Sequence, residues 1–575
     1  MKLVNETIQS SSKQSSSKVE GIKEASDYLR GTILEGLADD TTGAIAKSDT
    51  QLTKFHGIYQ QDDRDLRRER RQQKLEKAFS FMVRIRNPGG ICSTDSWLMV
   101  DEIADKYANG SIRLTSRQSF QLHGVLKGNL KKTIKEINDG LLDTIAACGD
   151  VNRNVMCNPN PYQSKVHEAV YEVAKAISNH MTPQTHAYHE IWLNGELVGG
   201  AKEDESVEPI YGKTYLPRKF KTSIAVPPSN DVDLFSQDLS FIAIVEDDKL
   251  VGFNVTTGGG MGMDHNKPET YPRLADVIGY ITPEQVIPIA EAVVTTQRDY
   301  GDRSNRKHAR LKYTIEDRGL EWFKGEVESR SGIKLQPERP YKFETTADRF
   351  GWSKGTNGFW NVNLFIENGR VKDTDDFKIK TGLREIAKIH KGDLRITPNQ
   401  NLIIGNIAEE DRPTIENLLK KYYIFESYNQ SALRLNSMAC VAMPTCGLAL
   451  AESERQLPNI ITKLDLAIEE SGLRDDAISI RMTGCPNGCV RPYLGEIGLV
   501  GRSPGKYNIY LGAKIDGTRL NKLYKKADTV DELVEELLPI IRHYARERET
   551  EEEFGDFVIR KEYVKATLAG REFHD

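Results

Sequence analysis

The chain has 575 residues, with 79 Lys and Arg against 84 Asp and Glu, a formal charge of −5. This length asks for three or four cores, and no apolar run approaches the ~18 residues that span a bilayer. Mild acidity argues against general nucleic-acid binding, and seven cysteines are too few, and odd in number, for a disulfide scaffold.

In chain order, the start "MKLVNETIQSSSKQSSSKVEG" lacks an apolar stretch and reads as a mobile polar tail, not a secretory signal. The remaining residues to about 80 read as an extended, Arg-rich wrap. A strand follows at "FMVRIRNPGG" (81–90), then a helix at "DSWLMVDEIADKYA" and a strand at "SIRLTSRQSFQLHGV" (111–125). The same order returns downstream in "VNLFIENGRV" (362–371), "GLREIAKIHKG" and "DLRITPNQNLIIGNI" (393–407). Arg113, Thr115 and Gln118 meet Arg395, Thr397 and Gln400 at a constant offset of 282. That is too long for a solenoid period and implies duplication of a larger α/β unit.

Basic residues recur in short groups, at 84–86, 111–117 and 217–221. Each taken alone is an ordinary wet surface, but their spacing suits a focused anion site. In "TYLPRKFKTSIAVPP", Lys219 and Lys221 alternate, so on a strand both face one side, and a shared anion would relieve their repulsion. "DVNRNVMCNPNPYQS" carries Arg153 in a rigid polar loop. "TTGGGMGM" (256–263) fits neither the Rossmann nor the P-loop pattern. It is either a flexible turn or a backbone surface that lets a flat cofactor lie close, since glycine has no side chain to block it.

Cys92, Cys148 and Cys157 are scattered and read as buried, incidental thiols. Cys440 and Cys446 in "MACVAMPTC" and Cys485 and Cys489 in "RMTGCPNGC" are clustered, as C-x5-C and C-x3-C separated by 38 residues. Structural zinc favours shorter knuckles, whereas a [4Fe–4S] cluster takes four thiolates at varied spacings. Iron–sulfur is the preferred reading, with zinc and plain buried thiols left open. The chain closes on an amphipathic helix at 530–549.

Together "YLRGTI", "FHGIYQQDDRDLRRER", "GSIRLTSRQSFQLHG", "DVNRNVMCNPNP", "TYLPRKFK", "NSMACVAMPTC" and "RMTGCPNGC" make the chain resemble the siroheme sulfite/nitrite reductases over about residues 27–575. The resemblance is to the NADPH-dependent assimilatory sulfite reductase branch, its hemoprotein beta subunit. It implies an α+β fold: duplicated, pseudo-twofold ferredoxin-like half-domains plus two α/β domains around a central cofactor site. With it go four provisional regions: a tail and wrap, 1–80; the duplicated domain, 81–147 with 347–420; an inserted siroheme and substrate domain, 148–346; and a cluster domain, 421–575.

The same resemblance implies siroheme coupled to a [4Fe–4S] cluster, with Cys440, Cys446, Cys485 and Cys489 as cluster ligands and Cys489 also bridging to the siroheme iron. Arg84, Arg153, Lys219 and Lys221 match the anion-binding quartet. Arg113, Arg117 and Gln121 match positions that contact siroheme, and Arg395 and Asn401 are added from the repeat. The implied activity is six-electron reduction of sulfite to sulfide in the cytoplasm, in cysteine biosynthesis. Electrons would come from an NADPH-dependent FAD/FMN flavoprotein alpha subunit, since no flavin or nicotinamide fingerprint is present, and neither nucleic acid nor membrane is a partner. Ferredoxin-dependent nitrite reduction is the alternative. Val490 stands where many relatives have a small residue.

Overall fold

The computed structural model describes residues 16–161, 164–184, 191–193, 196–199, 208–375 and 377–575. The first fifteen residues of the Ser-rich start lie outside these.

The duplication seen in the sequence forms two interlocked five-stranded sheets. One runs Ile58–Asp62, Phe79–Ile85, Phe120–Val125, Ile112–Leu114, Arg370–Val371. The other runs Gly351–Lys354, Trp360–Leu364, Leu402–Ile407, Asp393–Ile396, Ile91–Ser93. Each takes its last strand from the other repeat. The crossings depend on glycine: Gly90 and Gly369 have φ of 75° and 70°, and a Cβ on them would meet Ile396 O at 2.4 Å and Leu114 O at 2.3 Å. The two sheets share one core, in which Phe81, Trp97 and Leu122 join the same cluster as Leu364, Leu383 and Ile404.

The repeated Thr and Gln have a local cause. Thr115 Oγ1 accepts from the amides of Arg117 and Ser119, and Thr397 Oγ1 from those of Asn399 and Asn401. Each turn ends on a glutamine in the left-handed region, Gln118 at φ 53° and Gln400 at φ 72°. A threonine hydroxyl that satisfies two amides fixes a tight turn between strands.

A second repeat, hidden from sequence comparison, governs the other two sheets. Met156–Cys157, Thr222–Ala225 and Leu239–Glu246 run parallel, and Lys249–Thr257 and Asp276–Ile281 follow antiparallel. Ser437–Ala439, Ile480–Thr483, Ile497–Ser503, Lys506–Leu511 and Lys522–Thr529 repeat this order and sense. A constant offset of 258 carries Thr222 to Ile480, Asp233 to Arg491 and Leu239 to Ile497. Asp233 and Arg491 are both left-handed and both precede a short 3₁₀ turn. Reciprocal capping boxes, Thr282 with Gln285 and Thr529 with Glu532, introduce the helices Val286–Tyr300 and Val530–Glu547.

The segment expected to be an extended wrap instead holds four short α-helices and a 3₁₀ turn between Lys18 and Gln72. The first of these is anchored, not mobile. Buried Lys23 donates to Leu216 O at 2.9 Å, and Glu20 pairs with Lys23 and Arg303, each at 2.5 Å.

Where the modules meet, Asp233 is fully buried between Arg481, at 2.6 Å, and Arg491. Removing one partner of a buried ion group leaves uncompensated charge at a cost of about 3–5 kcal/mol. Asp233→Leu is therefore expected to lower unfolding free energy by about that amount in a denaturant titration. The triple change Asp233→Leu, Arg481→Met, Arg491→Met should recover part of the loss.

Candidate active site

Parallel strands Ser437–Ala439 and Ile480–Thr483 are neighbours, so their C-terminal ends leave the sheet at one edge, where α/β proteins place their sites. Cys440 follows the first strand directly. Cys485 and Cys489 lie in the turn after the second, and Cys446 sits on the loop from Cys440. Gly484 N approaches Cys440 Sγ at 3.4 Å and Asn487 Nδ2 approaches Cys485 Sγ at 3.4 Å. The glycine run packs onto this turn. Met263 N donates to Pro486 O at 3.1 Å, and a Cβ on Gly488 would meet Met261 Cβ at 3.2 Å.

The four thiols act on one another. Burial and then the neighbouring Cys489 raise the Cys440 thiol well above its ordinary value, and the same causes push Cys485 up to about 12. Buried thiols that feel one another's charge resist ionising in turn unless a metal centre takes up that charge. That donor set fits a [4Fe–4S] cluster.

The wall facing them is cationic. Cross-strand register sets Arg84, Gln121, Arg113 and Arg370 in one row across four strands, and such neighbours share a face. Glu454 neutralises part of the row: it pairs with Arg370 at 2.7 Å and also with Arg113, while its own amide bonds Cys440 O. Arg113 also donates to Ala439 O at 2.6 Å, so its guanidinium holds the strand that carries Cys440. Arg117 bonds Gln237 and Thr222 O, but its buried Nε has no partner. Gln121, with its amide oxygen turned inward, accepts from Arg84 Nε at 3.0 Å. The duplicated Arg395 is instead paired with Asp393 at 2.6 Å, and Asn401 bonds Asp348. Among the described residues neither bonds the segments that carry the four clustered cysteines, and Arg395 reaches Pro159 O at 3.2 Å instead.

Lys219 and Lys221 precede the strand Thr222–Ala225 instead of lying within it. A bridge between Asn152 and Phe220 fixes them beside Arg153, whose amide donates to Phe220 O at 3.0 Å. Burial, then Arg218, Arg153 and Arg310, push Lys219 down to about 7. Burial, then Arg117 and Lys219, carry Lys221 well below its usual value. So many cations compensated by so few carboxylates require anions, which fits a polycarboxylate macrocycle with an oxyanion beside it.

Sequence reading missed two members of the site. Cys148, taken as incidental, accepts from Arg84 Nη1 at 3.0 Å. Tyr59 lies beside it, its phenol pushed up to about 12 by burial and then by that thiol. Tyr59 lies within "FHGIYQQDD", but only the fold brings it to Cys148. Lys54, pushed down to about 8 by burial, and Lys312, which bonds Gly262 O at 3.0 Å, add further charge. Cys92 and Cys157 are buried elsewhere.

Four thiols at a sheet edge facing an anion-hungry cleft define a redox protein that acts on an oxyanion. The family described as nitrite/sulfite reductase ferredoxin-like half domain matches residues 72–140 and 353–422, and the nitrite and sulphite reductase 4Fe-4S domain matches 172–335. The latter match covers the first α/β unit, not the one carrying the four cysteines, as a unit that occurs twice allows. Sulfite reductase [NADPH] hemoprotein beta-components of Anoxybacillus flavithermus and Geobacillus kaustophilus are 60% and 59% identical to it, each over 97% of this chain and 98% of the relative. The structure of the Mycobacterium tuberculosis NirA protein matches with a TM-score of 0.76 at 25% identity, over 94% of this chain and 96% of that one. The chain belongs to the nitrite/sulfite reductase family, in its NADPH-sulfite-reductase hemoprotein branch.

With Lys219 near neutrality, anion binding restores its charge and takes up a proton above pH 7. Sulfate affinity should therefore fall as pH rises from 6 to 8.5, with proton uptake visible as buffer-dependent heats in calorimetry. Lys219→Arg should flatten the profile.

Proposed function

We propose that this chain reduces sulfite to sulfide, with electrons arriving from an NADPH-dependent flavoprotein. The observation that carries the reading is the meeting of four thiols, an excess of buried cations and an unpaired Arg117 Nε at one cleft. Cys440, Cys446, Cys485 and Cys489 would hold a [4Fe–4S] cluster, Cys489 also bridging to siroheme, and Arg117 and Gln121 would face the siroheme carboxylates. When bound, siroheme with its cluster supplies an iron site for the substrate sulfur and a relay of single electrons.

The protein's own part is electrostatic and protonic. Arg84, Arg153, Lys219 and Lys221 bind the substrate oxygens and stabilise charge as oxygen departs. Turning hydrogensulfite into hydrosulfide and three waters consumes six electrons and six protons. Lys219 at about 7 is matched to giving and regaining protons near neutrality. Arg218 and Arg153, next in effect after burial, hold it there. Among the described residues no helix is long and apolar enough to cross a membrane, and we assign the protein to the cytoplasm, where thiols stay reduced. Comparing turnover on sulfite and nitrite with the flavoprotein donor tests the reading. Efficient nitrite reduction with negligible sulfite reduction would favour the nitrite alternative.

Cys489→Ser is expected to abolish turnover and disturb the spectra of both redox groups, whereas Cys440→Ser should strike the cluster first. A normal siroheme spectrum and wild-type turnover in Cys489→Ser would refute the bridging assignment.

A further inference from the structure

Residues 63–78 form a strap over the loop that carries Cys446. Arg64 N donates to Pro444 O at 3.3 Å, its Nη1 donates to Ala449 O at 2.6 Å and Cys446 O at 3.2 Å, and Asp65 pairs with Arg455 at 2.7 Å. The outer side of the strap is a hollow lined by Arg67, Arg70, Arg71, Lys74, Leu75 and Lys77. Arg67 is committed to Asp62, at 2.5 and 2.8 Å. Arg68, Arg71, Lys74 and Lys77 are exposed and have no ion pair among the described residues. This surplus of positive charge lies on a chain whose net charge is −5. Beside it are exposed apolar side chains, Leu66 (41%), Leu75 (51%) and, on the Cys446 loop itself, Leu448 (67%).

A cationic rim around a few exposed leucines has the composition of a transient docking face: charge steers the encounter and a small apolar centre holds it. Its contact with the backbone of Cys446 gives electrons a short way in. Resting on the donor reading above, we propose that this strap, with the Leu448 loop, is where the flavin-bearing donor docks, through an acidic rim around its flavin. Each encounter would pass one electron, lost by the donor's reduced flavin and gained by the redox centre that Cys440, Cys446, Cys485 and Cys489 would hold. Six encounters serve one sulfite.

The test is Arg68→Glu, Arg71→Glu, Lys74→Glu, Lys77→Glu in the full, cofactor-loaded protein, with Leu448→Ser as a second, uncharged variant. Sulfide formation is measured with the NADPH-driven flavoprotein and, separately, with reduced methyl viologen, across a salt series. Flavoprotein-driven turnover should fall at least tenfold in the charge variant and lose its salt dependence, which in wild type should be a steep decline as salt rises. Leu448→Ser should raise the half-saturating flavoprotein concentration. Viologen-driven turnover and thermal midpoint should stay at wild-type values in both. Wild-type flavoprotein-driven turnover and salt slope in the charge variant overturn the proposal. So does equal loss with both donors, which would make the strap a support of the site. Binding of an RNA oligomer that the charge variant loses while flavoprotein coupling persists overturns it in favour of nucleic acid. If the wild-type protein takes electrons from viologen but none from the flavoprotein, the donor reading itself falls.

Discussion

Arg491 is the point on which the molecule depends. Its guanidinium pairs with Asp233 of the first α/β unit and donates to Ser116 O at 2.9 Å and Pro398 O at 3.1 Å. Ser116 and Pro398 are equivalent positions in the two ferredoxin-like halves, 282 residues apart. Arg491 itself belongs to the second α/β unit, so one buried side chain binds all four modules. It stands two residues after Cys489, and Ser116 Oγ reaches back to Cys489 O at 3.0 Å. The constraint that assembles the fold therefore also fixes the turn that carries Cys489. A guanidinium suits this post because its three nitrogens make separate directed bonds, to Asp233, Ser116 O and Pro398 O, and it keeps its charge when buried.

The site follows from an imbalance of charge. Several cations around the site are paired, as Arg310 is with Asp238 at 2.8 Å and the half-buried Arg306 with Asp150 at 2.8 Å. Arg117, Lys219 and Lys221 lie together, and burial depresses each of them. Beside them, burial and then the charge of Cys489 raise Cys440, Cys446 and Cys485. Neither group is stable alone at full ionisation, and each is relieved by the species that the family binds: an iron–sulfur cluster on the thiols, and a polycarboxylate and an oxyanion on the cations.

What could be read from the sequence was what lies close along the chain. The four cysteines declare themselves by spacing, and Thr115 and Gln118 match Thr397 and Gln400 because one turn geometry demands the same residues twice. The second repeat stayed hidden for a physical reason. Equivalent positions that meet across a pseudo-twofold axis must be complementary, not alike, so Asp233 faces Arg491, and a comparison of residues scores this as a mismatch. Cys148 and Tyr59 could not be joined by spacing, because 89 residues separate them. Lys219 and Lys221 were expected to share a face through strand alternation, but both precede the strand, and the bridge between Asn152 and Phe220 places them. Arg395 repeats Arg113 in sequence, yet Asp393 neutralises it.

The central claim is that one cleft of this chain joins siroheme to a [4Fe–4S] cluster through shared thiolate ligation. The most direct measurement is the visible absorption spectrum of the purified protein together with its iron and acid-labile sulfide content. The account predicts tetrapyrrole bands that shift when sulfite is added, and iron exceeding sulfide by one atom per chain. A colourless protein carrying zinc on the four thiols would contradict it.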